Sequence, residues 1–144
     1  VIRNAPRAAA HTYLIADSHG ATEAECDGDT FVTRALPADG TLWRTNHILN
    51  QEMAARQAEV PSASTKARFA RLERAANDPH TSESLIALFS DRSDGVDSIN
   101  RYPEDDQGTA TNAVIVYDRS QPDTPCLQVC RGPADRGAWH TLRF

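Results

Sequence analysis

Residues 1–144 contain 40% hydrophobic and 24% charged side chains, the balance of a globular protein with enough chain for one buried core. The formal net charge of −5 argues against nucleic acid as a partner, because neutralising phosphates requires a basic surface. No apolar run reaches the roughly 18 residues of a membrane-spanning helix, so we expect one soluble domain over residues 1–144 and no membrane partner.

The first third of the chain is predicted to form short β-strands. The apolar segment 12–16 and the loosely alternating segment 21–26 flank turn-forming residues at 17–20, which predicts a hairpin. Residues 30–33 and 42–45 are two further strand candidates, separated by a Pro-Ala-Asp-Gly turn at 37–40. Four acidic residues of this region and of the later acidic loop are expected to be solvated turn and edge residues, with an acidic catalytic pair among them as the alternative: Glu23, Glu25, Asp105 and Asp106.

The middle of the chain is predicted to be helical. Ser64 can cap a helix that starts near Thr65 and ends before the Asn-Asp-Pro sequence at 77–79. Its apolar stripe contains Phe69, Leu72 and Ala76. Thr81 can cap a second helix, with Glu83 in the first turn where the helix dipole favours an acid. The buried face of this second helix is predicted to comprise Leu85, Ile86, Leu88 and Phe89.

The last third returns to β-structure. Residues 113–117 form a continuous apolar run, which is typical of a strand buried on both faces. Residues 126–130 and 139–144 are predicted as the two strands that follow. Strands, then two helices, then strands again indicate an α+β fold rather than alternating β-α units.

The cysteines and histidines point to no disulfide and no metal. The three cysteines, Cys26, Cys126 and Cys130, are an odd number. Cys126 and Cys130 lie on one predicted strand, where four residues at about 3.3 Å each put them roughly 13 Å apart, too far to bridge. We therefore expect reduced thiols and a cytoplasmic location. The five histidines are scattered, and no nucleotide-binding or metalloprotease motif is present, so we expect no metal and no cofactor.

Two polar stretches stand out as candidate site residues. Thr45, Asn46 and His47 follow an apolar segment; they form either a simple strand end with a turn-forming Asn, or a site in which the Asn46 amide donates to an oxyanion. Arg101 precedes a Tyr-Pro step in a loop. It is either a surface residue or a bidentate ligand for a carboxylate.

Several stretches together carry a resemblance to a known family. They are RAAAHTYLIAD near the start, LWRTNHIL, a Ser followed four residues later by RFARL, SINRYPED, ATNAVIVYD and the closing AWHTLRF. In this order and spacing the chain resembles the C-terminal portion of the acyl-coenzyme A:isopenicillin N acyltransferase-like amidohydrolases, relatives of choloylglycine hydrolase. The resemblance covers nearly the whole chain.

The resemblance implies part of an αββα N-terminal-nucleophile hydrolase sandwich, completed by an upstream segment or a second chain. The family's precursor cleaves itself and exposes an N-terminal Cys, whose thiol attacks an amide or thioester carbonyl and whose α-amino group is the base. Asn46 matches the family's oxyanion-hole Asn. Thr45 and His47 match its neighbours and are expected to support it or contact substrate, and Arg101 matches a loop Arg near the cleft. Ser64 and Arg68 match structural positions.

Two departures from the family pattern shape the functional hypothesis. Gln-Gly-Thr at 107–109 stands where the penicillin-forming enzymes have Ser-Arg-Gly, which favours amide hydrolysis over acyl transfer to a penicillin nucleus. The chain begins with Val1 instead of a nucleophile, so we expect the Cys on an upstream chain of the same precursor. We predict one subunit of an amidohydrolase acting on a small linear amide. The alternatives are an acyltransferase that moves an acyl group from a thioester to an amine, and a non-catalytic binding remnant.

Overall fold

A computed structural model describes residues 2–17, 19–36, 40–105, 108–121 and 123–144. The chain divides into two compact units, Val1–Phe69 and Ala70–Phe144. One domain over residues 1–144 stays a prediction. Helices together with two antiparallel three-stranded sheets confirm the α+β class.

The first unit contains a sheet of β1 (His11–Asp17), β2 (Gly20–Cys26) and β3 (Phe31–Ala35), preceded by a 3₁₀ turn at Ile2–Asn4. The strands are antiparallel in the order β1-β2-β3, so the predicted hairpin and the strand after it are confirmed. Ser18 of the hairpin turn and residues 37–39 of the predicted Pro-Ala-Asp-Gly turn lie outside the described residues.

The expectation that Glu23 and Glu25 are solvated edge residues is wrong. Both are buried, with 3% and 6% of their surface exposed. The reason is the position of β2, which is the central strand and has a hydrogen-bonded neighbour on each side. The residues of the opposite face, Ala24 and Cys26, are also buried, so both faces of the end of β2 are covered.

The predicted strand at 42–45 is also wrong, because these residues join no ladder. Arg44 pairs with the Glu23 side chain, and the Thr45 hydroxyl donates to the Thr65 carbonyl in a later helix instead of to a neighbouring strand. A short helix that the sequence did not suggest, α1 (Gln51–Ala55), follows them. Asn50 caps it by accepting a hydrogen bond from the Met53 N–H at 3.1 Å, and the Met53 side chain is buried.

The first predicted helix, α2 (Ala63–Ala75), begins earlier than expected and has a different cap. The Ser62 hydroxyl accepts from the Thr65 N–H at 3.2 Å, whereas Ser64 is buried inside the first turn. The Ser64 hydroxyl has no hydrogen-bond partner within the described part of the chain. The helix ends before 77–79 as predicted, and the stripe residues Phe69, Leu72 and Ala76 are all partly buried.

The second unit combines α3 (Ser82–Phe89) with a sheet of β4 (Ala113–Asp118), β5 (Cys126–Arg131) and β6 (Trp139–Arg143), in the order β4-β5-β6. Thr81 caps α3 in a reciprocal capping box with Ser84, as its position predicted, and Glu83 lies in the first turn. The core consists of Val114, Val116 and Ala134, against which Leu85, Ile86, Phe89 and Trp139 pack. Leu88 is partly buried.

The prediction that residues 113–117 are buried on both faces is wrong. Val114 and Val116 are buried, but Ile115 and Tyr117 are 60% and 54% exposed. Alternate residues of β4 face opposite sides of the sheet, and α3 covers only one of these sides. Apolar residues occur on both sides, so the alternation was not visible in the sequence. We call the uncovered side the open face. It comprises Ile115, Tyr117, Leu127, Val129 and Leu142, which the strand register places side by side.

Cys26, Cys126 and Cys130 are free thiols, as predicted. Among the helices of the described residues, none is long and apolar enough to cross a bilayer.

Candidate active site

Thr45, Asn46 and His47 form a corner of the first unit that is bound to the first turn of α2. The Asn46 N–H donates to the Thr65 hydroxyl oxygen at 2.8 Å, and the Thr45 hydroxyl donates to the Thr65 carbonyl at 3.0 Å. Thr65 is 2% exposed, so this anchor is shielded from water. These three predicted site residues are consecutive, and they lie in one segment without regular secondary structure.

The Asn46 side chain is exposed and is oriented by a cation. Arg68 Nη2 donates to Asn46 Oδ1 at 2.8 Å. A guanidinium has no acceptor, so the amide atom that faces Arg68 is the oxygen. With the oxygen engaged, an incoming negatively charged atom would meet the –NH₂ end of the amide. Arg68, which the sequence suggested as a structural position at the helix start, therefore also contacts the Asn46 side chain directly.

His47 contacts both threonines of the corner and the aromatic ring of Phe69. Its Nδ1 lies 3.1 Å from Thr45 Oγ1 and 3.2 Å from Thr65 Oγ1. Thr45 uses its one hydroxyl proton toward the Thr65 carbonyl, so Nδ1 is within hydrogen-bond reach of two threonine hydroxyls, only one of which still has a proton to donate. The ring packs edge-on against Phe69, with 5.1 Å between ring centroids. Burial lowers the pKa of His47 below its ordinary value, and the nearby positive charges, Lys66 first, lower it further.

The lowered pKa predicts a pH dependence of stability. As pH falls below the ordinary value of 6.5, the unfolded state takes up the His47 proton before the folded state does. The free energy of unfolding should therefore decline from about pH 6.5 down through the folded-state pKa and then level off. His47→Gln should remove this decline in denaturant unfolding measured at pH 7.5 and pH 5. His140→Gln replaces an exposed histidine and serves as the control; an unchanged slope in His47→Gln would contradict the prediction.

Two buried carboxylates next to this corner were missed by sequence reasoning. Glu23 pairs with Arg44, the residue before Thr45, and its other oxygen lies 3.1 Å from Arg34 Nη2. Glu25 accepts the N–H groups of Leu49 and Asn50 at 2.7 and 2.9 Å. The available signal was the i, i+2 spacing in Glu-Ala-Glu, which puts both carboxylates on one face of a strand.

These carboxylates line a cavity of about 170 Å³ that also includes Val32, Thr33, Leu49 and Asn50. Glu23 and Glu25 are matched there by two guanidinium groups, those of Arg34 and Arg44, so the formal charges of the lining residues cancel. Arg44 Nε is buried without a partner among the described residues.

Arg101, the fourth predicted site residue, belongs to the second unit, whereas Thr45, Asn46 and His47 belong to the first. Its backbone is fixed to Thr111: Arg101 N donates to Thr111 Oγ1, and Thr111 N donates to the Arg101 carbonyl, both at 2.9 Å. Its Nε is buried and has no hydrogen-bond partner among the residues described. Arg101 is therefore held firmly by its backbone, while one of its side-chain donors is unused.

The residues on either side of Arg101, Asn100 and Tyr102, are held by hydrogen bonds to the segment that follows β5. Asn100 is 0% exposed; its amide oxygen accepts from the Ala134 N–H at 3.0 Å and its amide nitrogen donates to Asp135 at 2.6 Å. The Tyr102 hydroxyl also donates to Asp135, and the Arg92 guanidinium lies 3.9 Å from the centre of the Tyr102 ring.

Asp105 was expected to be a solvated turn residue, and this expectation is wrong. It closes a 3₁₀ turn at Pro103–Asp105, and its side chain is 6% exposed. Both of its oxygens accept from Arg92, at 2.5 and 2.8 Å. The Arg92 hydrogen bonds, followed by the bond from the Tyr102 N–H, hold the pKa of Asp105 at about 2. Asp106 lies outside the described residues.

Within the part of the chain that the structure describes, no group of three His, Cys, Asp or Glu side chains could hold a metal ion. The cysteines lie in strands: Cys26 is 1% exposed and Cys130 is 0% exposed, while Cys126 is partly buried.

Comparison with known proteins agrees with the resemblance drawn from the motifs. The profile of the family described as acyl-coenzyme A:6-aminopenicillanic acid acyl-transferase matches residues 1–133. A search of curated proteins found no match. The matched region contains all four candidate site residues and both sheets up to the end of β5. The chain belongs to this enzyme family, which is acyltransferase-like and related to the N-terminal-nucleophile hydrolases.

Proposed function

We propose that this chain is the oxyanion-stabilising part of an amidohydrolase, and that the nucleophilic Cys is supplied by an upstream chain of the same precursor. The observation that carries the proposal is the Asn46 amide, whose oxygen is engaged by Arg68 at 2.8 Å. Because Arg68 holds the amide oxygen, the –NH₂ group points away from Arg68 and keeps one orientation. A donor oriented before the reaction is what stabilisation of a developing negative charge requires.

The proposed reaction follows acyl-transfer chemistry. The Cys sulfur attacks the carbonyl carbon of a small linear amide, and the carbonyl oxygen becomes an oxyanion to which the Asn46 –NH₂ donates. The C–N bond then breaks, the amine leaves with a proton, and water hydrolyses the thioester that remains. A preorganised donor of this kind is worth about 3–4 kcal/mol in the transition state. Thr45 and His47 are proposed to hold the corner through their contacts with Thr65 and to contact substrate beside Asn46.

The cysteines of this chain support a nucleophile located elsewhere. Cys26 and Cys130 are buried in strands, and the Cys26 thiol lies 3.6 Å from the His11 carbonyl, to which it donates. Neither can present sulfur to a substrate without disrupting its sheet. Cys126 lies in β5 of the second unit, whereas Thr45, Asn46 and His47 belong to the first.

The open face supports a partner segment that completes the sandwich. Ile115, Tyr117 and Leu142 expose 60%, 54% and 50% of their surface on one side of one sheet. Contiguous apolar surface of this kind marks an interaction site in a globular protein. A second sheet packed on this face would give the αββα arrangement, with the upstream chain as its source.

Amide hydrolysis is favoured over acyl transfer by the sequence before β4. Gln107, Gly108 and Thr109 replace the Ser-Arg-Gly that the penicillin-forming enzymes have, although Gln107 lies outside the described residues. The family description supports the alternative, an acyltransferase that moves an acyl group from a thioester to an amine. A non-catalytic binding remnant is the third possibility, and the ordered Asn46–Arg68 pair argues against it.

One experiment separates these functions. The complete precursor is expressed, and intact-mass analysis establishes whether a Cys-initiated chain co-purifies with this one. The preparation is then assayed with an acyl p-nitroanilide for amide hydrolysis, and with an acyl-coenzyme A thioester plus 6-aminopenicillanic acid for amide formation. We expect the Cys-initiated chain and release of p-nitroaniline. Amide formation alone would support the acyltransferase, and inactivity in both assays would contradict the proposal.

Arg101 is proposed to bind substrate through its guanidinium, whose buried Nε has no hydrogen-bond partner among the described residues. Arg101→Ala should chiefly raise KM in the p-nitroanilide assay, by about tenfold if one charge-assisted hydrogen bond of roughly 1.5 kcal/mol is lost. Arg119→Ala removes an exposed arginine of the same unit and should leave KM unchanged. An unaltered KM in Arg101→Ala would leave Arg101 with a structural role only.

A further inference from the structure

We infer that Glu23 and Glu25 are positioning residues for Asn46, because together they fix the two ends of the segment that carries the oxyanion donor. The segment comprises residues 44–50, and we call it the donor segment. The inference rests on the proposed function and deepens it. It assigns a task to two carboxylates that neither the family match nor the proposed reaction uses.

The geometry joins one strand to both ends of the donor segment. Glu23 and Glu25 are two residues apart on β2, so both side chains point to the same face. Glu23 contacts Arg44, the first residue of the segment. Glu25 accepts from the N–H groups of Leu49 and Asn50 at 2.7 and 2.9 Å, at the last two residues.

The donor segment needs such support because it has no ladder and no helical hydrogen bonds before Asn50. Thr65 holds its middle through the Asn46 N–H, and Arg68 orients the amide. With the two carboxylates, the segment is fixed at its start, its middle and its end. Asn46 itself is exposed, so local packing alone cannot hold its amide in one place.

The energetics of burial favour a positioning role over a purely stabilising one. A buried carboxylate is costly unless it is paired, and apolar side chains of similar size usually stabilise a core equally well. Glu23 and Glu25 are nevertheless 3% and 6% exposed. A carboxylate can fix the orientation of the backbone, which apolar groups cannot do. Each oxygen of Glu25 accepts a hydrogen bond from a different backbone N–H.

The test uses the complete precursor-derived enzyme and Glu25→Gln. Glutamine keeps the size of the side chain but turns one acceptor into a donor that faces a backbone N–H. We expect kcat with the acyl p-nitroanilide to fall by about 10- to 100-fold, the range for a catalytic group displaced by about 1 Å, while KM stays within about twofold. Glu52→Gln is the matched control, since Glu52 is 73% exposed on α1, and it should leave both constants unchanged.

A double-mutant cycle distinguishes positioning from a general effect on the fold. If Glu25 acts through Asn46, Glu25→Gln should lower kcat no further in an Asn46→Ala background. An equal fall in both backgrounds would overturn the inference while leaving the proposed function in place. If Glu25→Gln does not fold, Glu23→Gln is taken through the same cycle with the same expected and overturning results.

Amide hydrogen exchange tests the inference without any turnover. Glu25→Gln should speed exchange in the donor segment by tenfold or more and leave the core of α2 protected. Exchange that is unchanged in the donor segment, or faster throughout the chain, would overturn the inference. Absence of activity in the unmodified enzyme would instead contradict the proposed function, so the two failures are distinguishable.

Discussion

Asn46→Ala is expected to lower kcat for amide hydrolysis by roughly 10²- to 10³-fold while the protein stays folded. The substitution removes the –NH₂ donor and leaves the Asn46 N–H bond to Thr65 in place, since that bond uses the backbone. The lost bond to Arg68 is at an exposed site, so little stability depends on it. Initial rates with the acyl p-nitroanilide measure kcat, and a thermal unfolding curve measures the stability.

Asn77→Ala is the matched control for this prediction. Asn77 is exposed beyond the end of α2, and its truncation should alter neither kcat nor the unfolding curve. Asn46→Asp adds a second comparison, because a carboxylate beside Arg68 would repel an oxyanion and should be at least as slow as Asn46→Ala. A kcat within about threefold of the unmodified enzyme in Asn46→Ala would remove Asn46 from the mechanism.

Gly137→Ala should destabilise the second unit by about 3 kcal/mol or more, the upper range for overpacking a core. A Cβ at this position would overlap Cys130 Sγ and the carbonyl oxygen of Arg131. Cys130 is 0% exposed and cannot swing into solvent. The Gly137 N–H donates to the Pro133 carbonyl at 2.9 Å, which holds the backbone against moving away. Denaturant unfolding followed by Trp fluorescence measures the loss.

Gly28→Ala is the control for the glycine prediction, because a Cβ at Gly28 meets no atom of the described residues within 4 Å. Its effect should stay within about 0.5 kcal/mol. Cys130→Ala combined with Gly137→Ala should recover only part of the stability, since the overlap with the Arg131 carbonyl remains. A Gly137→Ala loss below about 1 kcal/mol would show that the backbone around residue 137 yields more easily than the contacts indicate.

The sequence by itself determined the features that depend on local physics. The hairpin of β1 and β2 follows from β-prone residues around a turn, and the start of α3 follows from Thr81, whose hydroxyl caps the helix beside it. The Thr-Asn-His corner and Arg101 could be named because their order and spacing match a family, and the family match over residues 1–133 agrees. The signals for the hairpin and the helix cap lie within a few neighbouring residues, whereas the family signal is the order and spacing of stretches along nearly the whole chain.

Only the tertiary structure decided which faces are buried and which residues contact the segment around Asn46. Glu23 and Glu25 look like surface acids in sequence, and they became buried because β2 is the central strand and residues 44–50 supply donors more than 20 positions away. Residues 42–45 failed to form a strand because Thr65 and Arg68 of α2 bind the corner that follows. One face of β4 stayed open because α3 covers only the other. Burial and long-range pairing depend on which elements meet in space, and no local pattern of residues carries that information.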